Sequence, residues 1–565
     1  MNTSKINKKG TVAILGAGLV GPLLATLLSE VGFRVFLIDK RKEGEENDVG
    51  DRSLQLSLSK RAAFALSEVG LLDTLKREAI EMTARCVHFS KNKIDHFPYS
   101  QNSFEFLYTL SRSRLRRMLI GRAKQSPNVE FLFGYTCSEI NLDAKQLTLD
   151  KEDDSESKTV QFDFVVGADG LNSKVREAID EKRGICTVKL PNEVYYKSFE
   201  ISPAVANEIG LEKETVHVWP RGNAMVVSLA VDDNFNAALV MPKKGSPSFE
   251  SIQSLEEASQ FFEEVFDFSS EHADFLAEQY VARQPSHLPS LHCASWFYED
   301  TAVLVGDSGC TVVPWYAQGI NWGFTQALTL RNLLVERSSR QEAFEAFQNI
   351  VRPASESILR LSKSNYFKLS SEFNSPDFLA KKEVELVLMQ TFPDSFKTAY
   401  SLLAFSLLPY EEIEQLIKKQ DEILLRTHTK DQWQERENLY EVIDALQELY
   451  AAFFEKQYQK NLYSHLHVLD IDKISFSLQA MQEYIQKEFR ITHISLYGSC
   501  VYKKSYSGTD IDLWVEVTED CTLLDLCRLK TFLESRFSAD VEISRKECLR
   551  SELREYMMAE SVNIF

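Results

Sequence analysis

The chain has 565 residues, of which 44% are hydrophobic and 11% aromatic, enough to form the cores of roughly three or four domains of about 100 to 200 residues each. Its formal net charge of -19 argues against extended contact with nucleic acid, because phosphate binding relies on basic patches. The nine cysteines form no CxxC pair, so neither a zinc site nor a disulfide framework is indicated, and a reducing cytoplasm is expected.

The first residues imitate a secretory signal, because lysines precede an apolar run from Val12 to Leu28. No small-residue cleavage pattern follows that run, and its glycines fit a cofactor-binding turn instead. Elsewhere no uncharged stretch approaches the roughly 18 to 20 residues of a membrane helix, and the most apolar one, Ala399–Pro409, is too short. A cytoplasmic protein without a membrane span is therefore expected.

A dinucleotide-binding pattern begins at the first predicted strand, Thr11–Leu15. The strand is followed by the spacing GxGxxG at Gly16, Gly18 and Gly21, which opens a helix, and a second predicted strand ends at Asp39. The glycines permit a tight turn and the close approach of a pyrophosphate, which the helix N-terminus attracts. Asp39 is placed to hold a ribose hydroxyl. The pattern predicts a bound dinucleotide cofactor.

Two later segments extend this pattern. An apolar strand, Phe106–Leu110, precedes a helix with several basic residues that begins at Arg112, and most of those residues are expected to be solvated. A buried strand, Phe162–Gly167, then runs into a turn at Asp169 and Gly170. Because parallel strands of an α/β sheet present their carboxyl ends to ligands, this turn is predicted to face the cofactor.

The segment from Gly306 to Asn321 suits a flavin. A short strand, Thr301–Val305, places the Asp307 carboxylate at its carboxyl end, where it can accept hydrogen bonds from a polyol. Gly319 lets backbone N–H groups approach a flat anionic ring at the start of a predicted helix, Asn321–Leu334. A flavin has both parts, a ribityl chain and a ring. Taken alone, the segment is equally consistent with an ordinary strand, turn and helix.

Together these motifs resemble the FAD-dependent aromatic hydroxylases, in the order in which that family has them. Within that group the closest resemblance is to the kynurenine 3-monooxygenase family. The similar segments are Arg52–Ser59, Arg85–His88, His217–Arg221 and the stretch from Val313 and Pro314 to Asn321. The resemblance covers about residues 10 to 410.

The resemblance implies an α/β fold, with a Rossmann-like FAD-binding domain, a β-sheet substrate domain at about residues 180–284 and a helical C-terminal region. It assigns residues 1–410 to the monooxygenase. Besides the glycines, it implies cofactor contacts at Asp39, Arg52, Arg112, Asp169, Gly170, Asp307, Pro314, Gly319, Ile320 and Asn321. NADPH or NADH would reduce FAD, and an oxygen atom of O2 would be transferred to an electron-rich aromatic ring.

Four residues match those that hold the amino-acid end of kynurenine in that family: Arg85, Tyr99, Asn365 and Tyr400. The chemistry agrees, because a guanidinium pairs with a carboxylate through two parallel hydrogen bonds. Neutral hydroxyl and amide groups add orientation without a competing charge. The resemblance therefore implies a small aromatic amino-acid substrate, kynurenine or an analogue.

Several positions depart from the family pattern. Ser308–Cys310 and Trp315–Ala317 differ from the usual residues, Trp322 replaces a small residue, and Thr325 and Gln326 replace an acidic pair. These positions are expected to lie beside the oxygen-reacting face of the flavin. A different substrate ring or altered turnover is the predicted consequence.

The chain changes character after Tyr410. Residues 411–470 are charged and carry apolar residues at helical spacing, which predicts a helical connector. In residues 471–565 a strand runs into Gly498 and Ser499, and two carboxylates, Asp510 and Asp512, share one face of the next strand. This arrangement resembles the minimal nucleotidyltransferases, whose Mg²⁺ ions bridge a nucleoside triphosphate. Glu542 would be the third acid, where that family more often has aspartate, and a helix is predicted from 551 to 565.

Two functions remain open. One is an active aromatic hydroxylase fused to a nucleotidyltransferase. The other is a regulatory or toxin-related transferase that modifies a protein partner, with the flavoprotein part acting as a sensor of a kynurenine-like ligand. Turnover of NAD(P)H and O2 to a hydroxylated product distinguishes the first from the second.

Overall fold

The computed structural model describes residues 9–45, 56–90, 93–100, 105–151, 157–190, 194–232, 234–287, 290–367, 376–391, 396–425, 442, 445–446, 448–449, 474–475, 478–479, 481–497, 511–537, 541–546 and 561–565. Arg52, Gly498, Ser499 and Asp510 lie outside these residues. The chain separates into two compact units, Met1–Phe453 and Phe454–Phe565.

A six-stranded sheet forms the centre of the first unit. Val12, Ala13 and Ile14 are fully buried, as expected of a strand covered on both faces. Its first strand pairs in parallel with a neighbour on each side. The order across the sheet is Phe297–Tyr298, Ala302–Leu304, Phe164–Gly167, Thr11–Leu15, Arg34–Asp39 and Val129–Phe133. The turns after three of the parallel strands therefore meet at one edge.

Thirteen helices of the first unit fall within the described residues. They are Val20–Glu30, Lys60–Glu68, Leu72–Glu78, Arg112–Lys124, Lys174–Arg183, Pro203–Glu208, Leu255–Phe266, Ser270–Ala282, Gly319–Glu336, Arg340–Phe367, Pro376–Thr391, Ala399–Phe405 and Tyr410–Leu425. The first of them packs closely on the helix from Gly319, since a Cβ on Gly323 would stand 2.7 Å from Val20 Cγ2. The two predicted cofactor segments are thereby held side by side.

A seven-stranded sheet forms a second layer, and its core is rich in aromatic residues. The order is Ser286–His287, Val194–Ile201, Asn234–Pro242, Ala224–Val231, Thr215–Arg221, Ala84–Ser90 and Lys93–Pro98. The last two strands lie far outside the predicted range of 180–284. Ala84–Ser90 joins the sheet by pairing in parallel with Thr215–Arg221, a long-range contact that local sequence patterns do not encode.

Three smaller sheets complete the strands described in this unit. They are Lys158–Gln161 with Gln146–Lys151 and Tyr135–Asn141; Lys189–Leu190 with Ser290–His292 and Cys310–Thr311; and Leu56–Leu58 with Leu107–Leu110 and Ile80–Met82. The helix from Tyr410 packs on the helix Arg340–Phe367. Val442 and Leu446 are buried in a cluster with Leu424 and Phe396.

The second unit contains a four-stranded sheet in the order Val541–Arg545, Ile511–Val517, Ile491–Tyr497 and Val562–Asn563. The helices Gln482–Phe489 and Leu523–Phe537 pack with it around a core of its own. The predicted terminal helix is wrong for residues 561–565, because Val562 pairs with Leu496 as a strand.

Across the described residues, the apolar stretches within helices are too short or too often interrupted by charge to cross a bilayer.

Candidate active site

The three glycines of the first turn, Gly16, Gly18 and Gly21, have different structural roles. Gly16 has φ +103°, and a Cβ there would stand 2.3 Å from the Ala168 carbonyl oxygen. A Cβ on Gly21 would stand 1.9 Å from the Gly16 oxygen, so both positions are glycine because the chain is tightly packed. A Cβ on Gly18 would meet no atom within 4 Å. Gly18 thus leaves open the space that a pyrophosphate would need.

Asp39 is buried and already engaged by protein groups. Its Oδ2 accepts a hydrogen bond from Ala17 N at 2.6 Å, and the Arg41 guanidinium donates to both carboxylate oxygens at 2.8 Å. Burial opposes the charge, but the Arg41 guanidinium holds the pKa of Asp39 below its usual range. Arg41 was missed in the sequence; the signal available was a basic residue two positions after the acid. A ribose would share Asp39 with Arg41.

The turns after two other strands are bonded to each other. Ser308 Oγ accepts from Gly170 N at 2.9 Å and lies 3.2 Å from Asp169 Oδ1, to which it donates. Arg176 donates to the Ser308 carbonyl oxygen at 2.8 Å. Burial raises the pKa of Asp169, although hydrogen bonds from Ser173 and Lys174 N oppose that shift. Ser308, expected to alter the flavin environment, therefore also joins two turns that are predicted to face the cofactor.

Asp307 and Arg112 are brought together from positions far apart in the chain. The Asp307 side chain is accessible to solvent although protein atoms crowd around it. Burial raises the pKa of its carboxyl, and the nearby positive charge of Arg112 opposes that shift. Hydroxyl donors of a bound polyol would stabilise this carboxylate.

The helix predicted to start at Asn321 begins at Gly319, two residues earlier. Its first N–H groups lack partners within the helix, which suits them to an anionic ring. The Asn321 side chain is fully used: it donates to Ser57 O and Ala317 O at 3.0 and 2.8 Å and accepts from Ser59 N at 2.8 Å. The cofactor contact predicted for Asn321 is therefore left to its backbone.

Pro314 opens a 3-10 turn, Pro314–Tyr316, and the turn ends at Ala317 with φ +52° and ψ +36°. This left-handed conformation is one that glycine adopts without strain. An alanine there carries about 1 to 2 kcal/mol of backbone strain.

Ala317→Gly is expected to increase the free energy of unfolding by about 0.5 to 1 kcal/mol, because relief of strain exceeds the entropy cost of glycine. Thermal unfolding followed by circular dichroism measures this change. The matched control is Ala346→Gly, inside the helix Arg340–Phe367, which should destabilise by about 0.5 to 1 kcal/mol. A lower melting temperature for Ala317→Gly would contradict the strain.

An arginine and three tyrosines line the predicted substrate pocket. Tyr99 and Tyr400 stack with ring centroids 4.6 Å apart, and the Arg85 guanidinium lies 5.0 Å from the centre of the Tyr400 ring. Tyr316 lies 5.9 Å from Tyr400. Burial raises the pKa of Tyr99 and of Tyr400, so both remain neutral hydroxyls. Three of the four predicted substrate residues, Arg85, Tyr99 and Tyr400, thus lie in contact with one another.

Two buried polar atoms in this pocket, Arg85 Nε and the Tyr99 hydroxyl, have no partner with good hydrogen-bond geometry among the described residues, although the Tyr99 hydroxyl lies close to Arg85 and Tyr400. Buried donors of this kind are costly unless a ligand satisfies them. The fourth predicted residue, Asn365, is buried and donates to the Trp315 carbonyl oxygen at 2.8 Å. It holds the loop that carries Tyr316.

The other altered positions point into the protein core. Trp322 donates to Ser355 Oγ at 2.9 Å and packs edge-on against Tyr410. Gln326 accepts from Gly306 N at 2.7 Å, which fixes the turn before Asp307. These two side chains therefore have a role in packing and positioning, and their expected place beside the flavin ring stays a prediction.

The fold and these turns define a flavin-dependent aromatic monooxygenase. Residues 9–361 match the family model described as the FAD binding domain. Kynurenine 3-monooxygenase from Christiangramia forsetii is 31% identical over 424 residues, covering 74% of this chain and 94% of that protein. The corresponding enzyme from Flavobacterium johnsoniae is 31% identical, covering 71% and 90%.

The chain belongs to the family of FAD-binding monooxygenases that includes these kynurenine 3-monooxygenases, and the resemblance seen in the sequence is confirmed. It is an FAD-dependent aromatic hydroxylase of the kynurenine 3-monooxygenase type. Its fold is also that of PqsL, a probable FAD-dependent monooxygenase from Pseudomonas aeruginosa. That likeness has a TM-score of 0.52 at 18% identity and covers 64% of this chain and 96% of PqsL.

Proposed function

We propose that this protein hydroxylates L-kynurenine or a close analogue, an aromatic amine that carries an amino-acid group, with NADPH or NADH as reductant. The observation that carries the proposal is the pocket of Arg85, Tyr99 and Tyr400, in which Arg85 Nε and the Tyr99 hydroxyl have no partner with good hydrogen-bond geometry among the described residues. A ligand carboxylate would satisfy both donors at once. The neutral tyrosines add no competing negative charge.

The cofactor residues support the same proposal. Gly18 leaves room for the pyrophosphate, Asp307 beside Arg112 would accept from the ribityl hydroxyls, and the first N–H groups after Gly319 would face the ring. Bound FAD would supply the redox chemistry, passing electrons from NAD(P)H to O2 and one oxygen atom to the substrate ring. The protein's part is to bind, orient and exclude water. The aromatic amine already activates the ring, so no general base is proposed.

The altered residues bear on which ring fits. Trp315 and Tyr316 are two of the positions that depart from the family pattern; they offer a large indole and a polar hydroxyl, and Tyr316 contacts Tyr400. An analogue whose ring is smaller or more polar than that of kynurenine is consistent with this lining. The amino-acid end would be held in the same way in either case.

The test is to incubate the purified protein with NADPH or NADH, O2 and L-kynurenine and to identify products by mass spectrometry. Substrate-dependent consumption of the reductant and a product heavier by one oxygen atom are expected. An analogue without the carboxylate serves as the control and should be poorly turned over. Flavin and ligand binding without any hydroxylated product would instead support the sensor function.

A second activity is proposed for the C-terminal unit, because two carboxylates lie next to each other on parallel strands. Asp512 and Glu542 are paired in register, which puts both side chains on one face of the sheet. With Asp510, which lies outside the described residues, they would hold Mg²⁺ ions that bridge a nucleoside triphosphate. The phosphate contacts that the sequence predicts for Gly498 and Ser499 also lie outside the described residues. Transfer of a nucleoside monophosphate to a hydroxyl is the proposed reaction.

The acceptor would be the hydroxylated product of the first unit or a protein side chain.

Asp512→Asn is expected to abolish pyrophosphate release from each NTP in the presence of Mg²⁺ and hydroxylated product, while flavin turnover survives. Glu519→Gln, an exposed carboxylate in the following turn, is the control and should retain activity. Labelling of a co-purifying protein, with no labelled small molecule, would favour the regulatory function. If the Asp512→Asn variant releases pyrophosphate as fast as the wild type, nucleotidyl transfer does not take place at these carboxylates.

A further inference from the structure

Three neighbouring strands of the seven-stranded sheet bring one thiol and three imidazoles together. Cys86 is in register with His217 on one side and with His96 on the other. His88, two residues after Cys86, points to the same face of its strand. Cys86 Sγ lies 3.6 Å from His88 Nε2 and 3.7 Å from His96 Nε2, and His88 Nε2 lies 2.9 Å from His217 Nδ1.

The ligand atoms of the cluster are shielded from solvent. His88 and His217 are buried polar residues, and Cys86 is a buried free cysteine. A metal ion binds the thiolate form of cysteine, so its binding would release the thiol proton of Cys86.

Groups around the cluster are placed to orient these ligands. His217 Nε2 accepts a hydrogen bond from Glu212 N at 2.9 Å, and it also lies 2.9 Å from Thr215 Oγ1 and 3.2 Å from Glu212 O. Metal binding through Nδ1 would require the other tautomer, in which Nε2 donates its proton to Thr215 Oγ1 or to Glu212 O. Metal-binding histidines commonly use their second nitrogen in this way. His96 Nδ1 lies 4.0 Å from a carboxylate oxygen of Glu212, which is beyond hydrogen-bond distance. Trp219 stacks on His88 at 4.1 Å and fixes the plane of that ring.

We propose that Cys86, His88 and His217, completed by His96, bind one Zn²⁺ ion. One thiolate with imidazoles is a ligand set that suits tetrahedral Zn²⁺, whose bonds of about 2.3 Å to sulfur and 2.0 Å to nitrogen place neighbouring ligand atoms roughly 3.3 to 3.7 Å apart. The sulfur to nitrogen distances already match. The ligand atoms of Cys86, His88 and His217 all lie within 4.8 Å of one another, so a small rotation of side chains closes the site.

The ion would connect three adjacent strands, of which Ala84–Ser90 and Thr215–Arg221 are far apart in the chain. Cys86 directly follows Arg85, which faces the other side of the sheet and lines the substrate pocket. The site shares no residue with the turns that are predicted to bind FAD. It would therefore stabilise the sheet that positions Arg85.

The full chain, purified without a metal-binding tag and freed of metal, is titrated with Zn²⁺ against a chromophoric chelator and separately with Co²⁺ as a spectroscopic probe. The expected results are one equivalent of Zn²⁺, a higher melting temperature, and Co²⁺ d–d bands of tetrahedral intensity at wavelengths beyond the flavin absorption. Cys86→Ser and His88→Asn are expected to weaken Zn²⁺ binding by more than about 100-fold. Loss of a residue that only hydrogen-bonds to a ligand would weaken it less.

Cys186→Ser, which removes an exposed cysteine, is the matched control and should bind Zn²⁺ like the wild type. Flavin content and circular dichroism check that each variant is folded. If neither Cys86→Ser nor His88→Asn folds, the Zn²⁺ stoichiometry and the Co²⁺ spectrum of the wild-type protein still test whether the site exists. Less than one equivalent in the wild type, an octahedral Co²⁺ spectrum, or unchanged affinity in a folded Cys86→Ser variant would overturn the site.

Discussion

Replacing Arg85 by alanine should raise the KM for the aromatic amino-acid substrate by about 30- to 1000-fold, which corresponds to about 2 to 4 kcal/mol for a carboxylate that loses its charged partner. Arg85 is placed for this role by the stacked pair Tyr99 and Tyr400. Steady-state kinetics with NADPH in excess measures the effect. Because the remote carboxylate is held alike before and during reaction, KM should change more than kcat.

Arg85→Lys keeps the positive charge but loses the planar fork, so an intermediate KM is expected. Arg34→Ala is the matched control, since Arg34 forms an exposed ion pair with Glu130 on the flavin-binding sheet. Its KM should equal that of the wild type. If Arg85→Ala also leaves KM unchanged, the carboxylate is held elsewhere or the substrate lacks one.

Replacing Asp307 by alanine is expected to remove most of the flavin from a protein that otherwise purifies yellow. The loss of charge-assisted hydrogen bonds to the ribityl hydroxyls weakens FAD binding by about 1.5 to 3 kcal/mol, or about 10- to 150-fold. Asp307 is suited to those bonds because it is accessible, enclosed by protein and close to Arg112. The ratio of flavin absorbance to protein absorbance after gel filtration measures retention.

Asp307→Asn still offers an acceptor and should retain more FAD than Asp307→Ala. Asp274→Ala removes an exposed carboxylate from the helix Ser270–Ala282 and should retain FAD fully. A fully loaded Asp307→Ala variant would show that the ribityl chain is held without this residue. A wild-type protein that is colourless and cannot be reconstituted with FAD would remove the cofactor site altogether.

The elements around the first turn could be predicted because their signals are local. The strand Thr11–Leu15 was predicted with its observed bounds, and the helix after Gly18 follows from the GxGxxG spacing. A glycine is required at Gly16 and Gly21 because a Cβ would collide with backbone atoms that are close in sequence or on an adjoining strand. Their order along the chain was also enough to indicate the family, which the comparisons confirm.

The roles of single polar residues were less predictable. Ser308 and Gln326 are predicted to lie beside the flavin, and the structure shows in addition that they accept hydrogen bonds from Gly170 N and Gly306 N. Such partners come from other turns, and their identity depends on which turns meet at the sheet edge. No spacing rule along the chain reveals them.

The sequence by itself determined the class of this protein, because backbone glycines and carboxylates at strand ends carry the chemistry of flavin binding in short segments. Only the tertiary structure decided where Ala84–Ser90 lies. The pairing of this strand with Thr215–Arg221 brings Arg85 to the tyrosines on one face and Cys86 to His217 on the other. A search for CxxC spacing could not find that cluster, because strand register joins residues that are far apart in sequence.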